Sequence, residues 1–188
     1  MKQLLHTLFL GMSLFLFSCK NQTNANEPEI KTAPVANELI SEGEIQDVTF
    51  TSKGASKVFH YYTKLKNALV NTNPTATAQA AQELSSSVSL MGGDEITLTA
   101  IKEISMSNDI QVQREKFVIV TTSVEKLLEN NVATGLFYKQ YCPMAFNNTG
   151  GYWLSNSKEI RNPFFGDKML KCGRIDKEIN KNLPLLLY

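Results

Sequence analysis

From about Lys57 onward the chain alternates between apolar positions at helical spacing and short polar stops. In "SKVFHYYTKLKNALVN", Val58, Tyr61 or Tyr62, Leu65 and Leu69 recur three and four residues apart. That spacing gathers side chains on one face of a helix. "NTNP" at Asn71 to Pro74 stops the run. "TATAQAAQELSSSVSLMGG" then puts Ala78, Ala81, Leu84 and Val88 on a second stripe, closed by Gly92 and Gly93. Asp94 supplies an N-cap for a short segment through Ile104. "NDIQVQREKFVIVTTSVEKLLENN" carries Ile110, Phe117, Val120 or Thr121, Val124, Leu127 and Leu128, with Asn130-Asn131 as its stop. Its middle, "FVIVTT", is β-branched, but the flanks are strong helix formers and the pattern predicts helix throughout.

The last third changes character. Leu136 to Asn162 is dense in Gly, Asn, Tyr and Ser, which predicts an ordered loop with one short strand or hairpin. "NPFFGDKMLKCGRIDKEIN" predicts a turn followed by a C-terminal helix with Asp167 near its start. The terminal "LPLLLY" is an apolar tail with no assigned place. The expected fold is therefore mainly α: a small helical bundle, an ordered Cys- and Met-bearing loop laid across it, and a C-terminal helix.

The first residues follow a different logic. "MKQLLHTLFLGMSLFLFS" has a basic residue at Lys2, an apolar run from Leu8 to Phe17, and then Cys19. That is a signal-peptide layout, with an apolar region short for a membrane span. Leu16-Phe17-Ser18-Cys19 resembles a bacterial lipobox, in which the Cys is lipidated and becomes the new N-terminus. Residues 1–18 are thus expected to be a lipoprotein signal peptide, 19–44 a flexible tether, and 45–188 the domain. The tether expectation rests on "KNQTNANEPEIKTAPVANELISEG", which is rich in Asn, Thr, Glu and Pro and poor in aromatics. Attachment to the membrane through lipid follows from Cys19. "KNQTN" after Cys19 lacks an acidic cluster, which favours a periplasm-facing location in the cell envelope.

Removing residues 1–18 takes one basic side chain, Lys2, and no acidic one, leaving 18 of each sign. A balanced chain without a basic, aromatic-interleaved block has no field for steering nucleic acid, so no nucleic-acid partner is expected. A single histidine, His60, would remain, which excludes His-rich metal sites. No Ser-His-Asp set, Gly-rich phosphate loop or Cys-x-x-Cys motif occurs, and no enzyme is expected. "FNNTGGYW" could line a small-molecule groove, yet turn chemistry around Gly150-Gly151 explains it more simply.

The remaining chemistry is sulfur. Met169 and Cys172 are three apart, sharing a face if helical, and Cys142 and Met144 are two apart, sharing a face if extended. A chain reversal between the pairs would bring four soft donors together, a set suited to Cu(I) or another thiophilic ion. The same two cysteines could instead pair as a disulfide in an oxidising compartment, or remain separate buried thiols. His60 is a further candidate ligand, and Trp153 a candidate cation–π cap for a metal ion. The plainer readings are a helix-surface histidine and a core tryptophan. Arg114 and Lys116 are expected on a solvated helix face.

"QYCPMAFNNTGGYWLSNSKEIRNPFFGDKMLKCGRI", with the earlier "YYTKLKNALV", resembles a bacterial family known as domain of unknown function 3347. The resemblance spans roughly Lys57 to Ile179 and is densest over Cys142 to Gly173. It implies a secreted or lipid-anchored domain of the kind attached to periplasmic adaptor subunits of heavy-metal efflux pumps. It therefore implies copper or other soft-metal handling, with Cys142, Met144, Met169 and Cys172 as candidate ligands and an efflux adaptor as candidate partner. With the resemblance counted, the metal site stands ahead of a disulfide-stapled interaction domain.

Overall fold

The computed structural model describes residues 46–181. The expected signal peptide, Cys19, the tether and the apolar tail from Asn182 lie outside the described residues. Four helices come first: α1 (Lys53–Val70), α2 (Pro74–Leu90), α3 (Glu95–Met106) and α4 (Ile110–Leu128). Each starts where a short polar side chain takes an orphan backbone N–H. Ser52, Asn73, Asp94 and Asp109 accept from Ala55, Ala76, Thr97 and Gln111 at 2.7–3.1 Å. Pro74 opens α2 at a position where its missing N–H costs nothing.

Consecutive helices pack on one another, and α4 returns against α1 to close the bundle. Val58, Tyr62, Leu65 and Leu69 of α1 meet Ala81, Leu84, Ile101, Ile104, Phe117, Val120, Val124 and Leu128 in one buried cluster. Tyr62 is the member of the Tyr61-Tyr62 pair that faces inward, and "FVIVTT" is helical. No helix among the described residues is long and apolar enough to cross a membrane.

The chain then becomes β. β1 (Thr49–Phe50) pairs with β2 (Val132–Thr134), while β3 (Leu136–Cys142), β4 (Gly151–Ser155) and β5 (Arg174–Asn180) form an antiparallel sheet in the order β4-β3-β5. The expected short strand or hairpin is thus a full β3–β4 pair, in register from Tyr138↔Ser155 to Cys142↔Gly151. The expected C-terminal helix is absent from 167–180. A single 3-10 turn, Gly166–Met169, gives way to β5. The cause is tertiary: Gly173 sits at φ 153°, outside any helix, and the free edge of β3 offers "RIDKEIN" a ladder. The fold is mainly α, as expected, with two small sheets, and β5 stands where the C-terminal helix was expected.

The sheet is joined to the bundle through Tyr62. Its hydroxyl lies 2.8 Å from the Thr121 hydroxyl and accepts the Leu154 N–H at 3.0 Å, while its ring stacks on Phe117. Burial pushes the phenol well above its ordinary range, so it stays neutral. Tyr62→Phe is expected to cost about 1–3 kcal/mol, because the buried Leu154 N–H loses its partner. Urea unfolding measures this, and an unchanged midpoint would show that the hydroxyl bridge contributes nothing.

Candidate functional site

β3 runs through the middle of the sheet and ends on Cys142, which is fully buried. Strand alternation places Tyr138, Gln140 and Cys142 on one face, opposite Ser155, Trp153 and Gly151 of β4. The segment after β4 returns over that face. Gln140 Nε2 donates to the carbonyls of Ser157 at 2.9 Å and Glu159 at 3.3 Å. Further along, Gly173 approaches the sheet so closely that a Cβ there would stand 2.8 Å from the Trp153 ring. Only glycine permits that approach at its positive φ.

Between these two points the loop is organised by Asn162, which is fully buried. Its Oδ1 accepts the Phe164 N–H, and its Nδ2 donates to the Cys172 carbonyl, both at 2.8 Å. Its backbone N–H donates to Leu170 O at 2.9 Å, and its carbonyl accepts from Gly166 at 3.0 Å. The Cys172 N–H closes the turn on Met169 O at 3.0 Å. One asparagine thus fixes both ends of the Phe164–Cys172 loop.

The result is direct contact between the two thiols. Cys142 Sγ and Cys172 Sγ are 3.2 Å apart, both as free thiols, with Cys142 buried and Cys172 partly exposed. Hydrogen bonding to Cys142, with burial behind it, holds the Cys172 thiol above its usual pKa. In the reduced protein this favours the neutral Cys172 thiol.

Arg114 is the second support of the loop. It is 4% exposed, so the expected solvated face does not exist at this residue. Its Nε donates to Pro163 O at 2.8 Å, while Nη2 reaches Leu69 O at 3.3 Å and Thr72 Oγ1 at 3.1 Å. Burial pulls its pKa down. Lys116 does occupy the surface, paired with Glu103 at 2.6 Å.

The other sequence-derived candidates are placed differently. Met144 is 47% exposed on the turn that follows β3. Pro143 has no N–H to continue the ladder, so the strand ends at Cys142 and spacing of two no longer implies a shared face. Met169 shares a backbone turn with Cys172, not a helical face. His60 is exposed on α1 with its ring 5.2 Å from Tyr61, lining a cavity with Asp47, Phe50 and Asn156 that none of the four sulfur residues reaches. Trp153 is fully buried, edge-on to Phe164 at 5.9 Å, and acts as a core anchor. Among the described residues no three or more His, Cys, Asp or Glu side chains are grouped to hold a metal ion.

A family model described as "Protein of unknown function (DUF3347)" matches residues 58–135. Over those residues the chain is similar to the DUF3347 family. The match runs from within α1 through β2 and ends before β3, so the thiol pair and its loop lie beyond the DUF3347 match. No curated protein and no solved structure matches the chain.

Sequence reasoning missed Asn162 and Arg114. For Asn162 a signal existed: Asn-Pro favours a turn, and a buried turn needs its N–H and C=O groups satisfied. For Arg114 there was none, since its acceptors lie 42 to 49 positions away.

Proposed function

We propose that this chain is a lipid-anchored domain of the cell envelope, periplasm-facing, in which Cys142 and Cys172 close as a disulfide. It acts by binding a partner protein and not by catalysis. The observation that carries the reading is the 3.2 Å separation of two sulfurs held from opposite sides by β3 and the Asn162-pinned loop. A disulfide needs about 2 Å between its sulfurs, a short closure from this position. Metal ligation would instead require thiolates, and one of these two sulfurs is fully buried in the apolar cluster.

A second reading rests on the same contact. Kept reduced, the pair is a two-sulfur donor set for Cu(I) or another soft ion, with Met144 beyond Cys142 and Met169 one turn before Cys172 as added thioethers. In that form the domain would serve heavy-metal handling beside an efflux adaptor, with His60 and Trp153 outside the donor set.

Protein taken from the envelope and alkylated before and after reduction separates the two. No labelled thiol before reduction, two afterwards, and no stoichiometric soft metal are expected. Full labelling of both cysteines without reductant, with one equivalent of copper bound, would replace the staple with the metal site.

A further inference from the structure

The two sulfurs differ in access, and this fixes an order of reaction for the disulfide proposed above, on which the inference rests. Cys142 is fully buried at the end of the central strand, in the apolar cluster that also holds Trp153 and Phe164. Cys172 is partly exposed and stands between the exposed side chains of Lys171 and Arg174. We infer that Cys172 is the exchange residue, meeting an external disulfide first, and that Cys142 is the resolving residue reached only from within.

The chemistry balances as thiol–disulfide exchange. Cys172, having lost its proton, attacks one sulfur of an external disulfide of a small thiol or a redox protein. A Cys172–S–S–R bond forms, the external S–S bond breaks, and the first R–S⁻ leaves with the electron pair and is protonated. Cys142 then loses its proton and attacks Cys172 Sγ. The internal disulfide forms, the mixed disulfide breaks, and the second R–S⁻ leaves. Two protein thiols are oxidised and one external disulfide is reduced to two thiols. Cys142 needs no path to solvent in either step, because its target is the sulfur already 3.2 Å away.

The lysine and arginine beside Cys172 suit an external disulfide that carries acidic groups.

The test uses the full chain with Cys19→Ser, in mild detergent and fully reduced, exposed to oxidised glutathione and followed by intact mass. The pair should pass to the internal disulfide without accumulating adduct. Cys142→Ser should accumulate a glutathione adduct at Cys172. Cys172→Ser should stay unmodified while folded, reacting at least roughly 100-fold more slowly, and become reactive in urea, as expected for a thiol reached only by opening. Equal reaction of folded Cys142→Ser and Cys172→Ser overturns the inference. Acid quenching of the unmutated pair and peptide mapping give a check independent of either variant: transient glutathione on Cys172 supports the order, and on Cys142 it refutes it. A stable adduct on Cys172 of the unmutated pair would sink the staple reading while leaving the order of attack standing.

Discussion

Cys142→Ser combined with Cys172→Ser is expected to lower the melting temperature of the oxidised protein by roughly 10 °C. The bond would close a loop of 30 positions. In the chain-entropy model a loop of that length contributes about 3–4 kcal/mol by restricting the unfolded chain. For a domain of this size each kcal/mol moves the midpoint by roughly 3 °C, which gives the figure above. The double variant is the informative one, because a lone thiol left beside a new hydroxyl changes packing as well as covalency. Cys142 also belongs to the main buried cluster, so the serine hydroxyl there adds a desolvation cost that reduction alone does not carry. Reduced unmutated protein should therefore melt between the oxidised form and the double variant. Calorimetry of the three forms checks the order. Identical midpoints for oxidised and reduced protein would show that the pair does not constrain the fold.

The four helices were legible because their contacts are local. Val58, Leu65 and Leu69 repeat at the helical period, and Asn71 to Pro74 interrupts it visibly. Asp94 announces a cap by residue type alone. Even "FVIVTT" resolved correctly, since Phe117, Val120, Thr121 and Val124 keep helical spacing despite their β-branching. The sheet was not legible to the same degree. "RIDKEIN" is polar, five of its seven residues carry charge or an amide, and only Ile179 is buried, so nothing local opposed a helix. Its strand state comes from β3, more than thirty residues earlier. A pairing of that range leaves no trace in the spacing of the strand itself.

The same distinction runs through the site. Convergence of Cys142 and Cys172 was foreseeable in outline, because two cysteines flanked a turn-rich connector. The details depended on non-local partners. Met144 fell away from Cys142 because Pro143 ends the strand, a rule that was available from sequence. Arg114 looked like one more charge on a polar helix, and only the arrival of Pro163 and Thr72 makes it a buried clamp. The DUF3347 match falls on the helices, the part whose organisation is local, while the thiol pair lies in the part that only three-dimensional contacts define.

Asn162→Ala should have the larger effect on the reduced protein. Both hydrogen bonds of the side chain end on backbone groups, Phe164 N–H and Cys172 C=O, at a fully buried position. Truncation leaves two polar groups without partners, a loss of about 2–4 kcal/mol. The effect on chemistry follows from position. The backbone of Cys172 is tied through its N–H to Met169 and its carbonyl to Asn162, so releasing the carbonyl lets Cys172 Sγ sample positions away from Cys142. Closure with oxidised glutathione should slow by about tenfold or more, since the rate depends on the fraction of time the sulfurs are aligned. Asn162→Asp discriminates stability from positioning. A carboxylate keeps an acceptor for the Phe164 N–H but has no donor for Cys172 O, and sets two oxygens against each other. It should restore little of the closure rate even where it retains part of the loop. Urea unfolding of the reduced forms and the rate of adduct resolution measure the two effects separately. An Asn162→Ala protein that loses stability yet closes at the unmutated rate would mean that Gly173 and β5 place Cys172, with Asn162 acting on the loop alone.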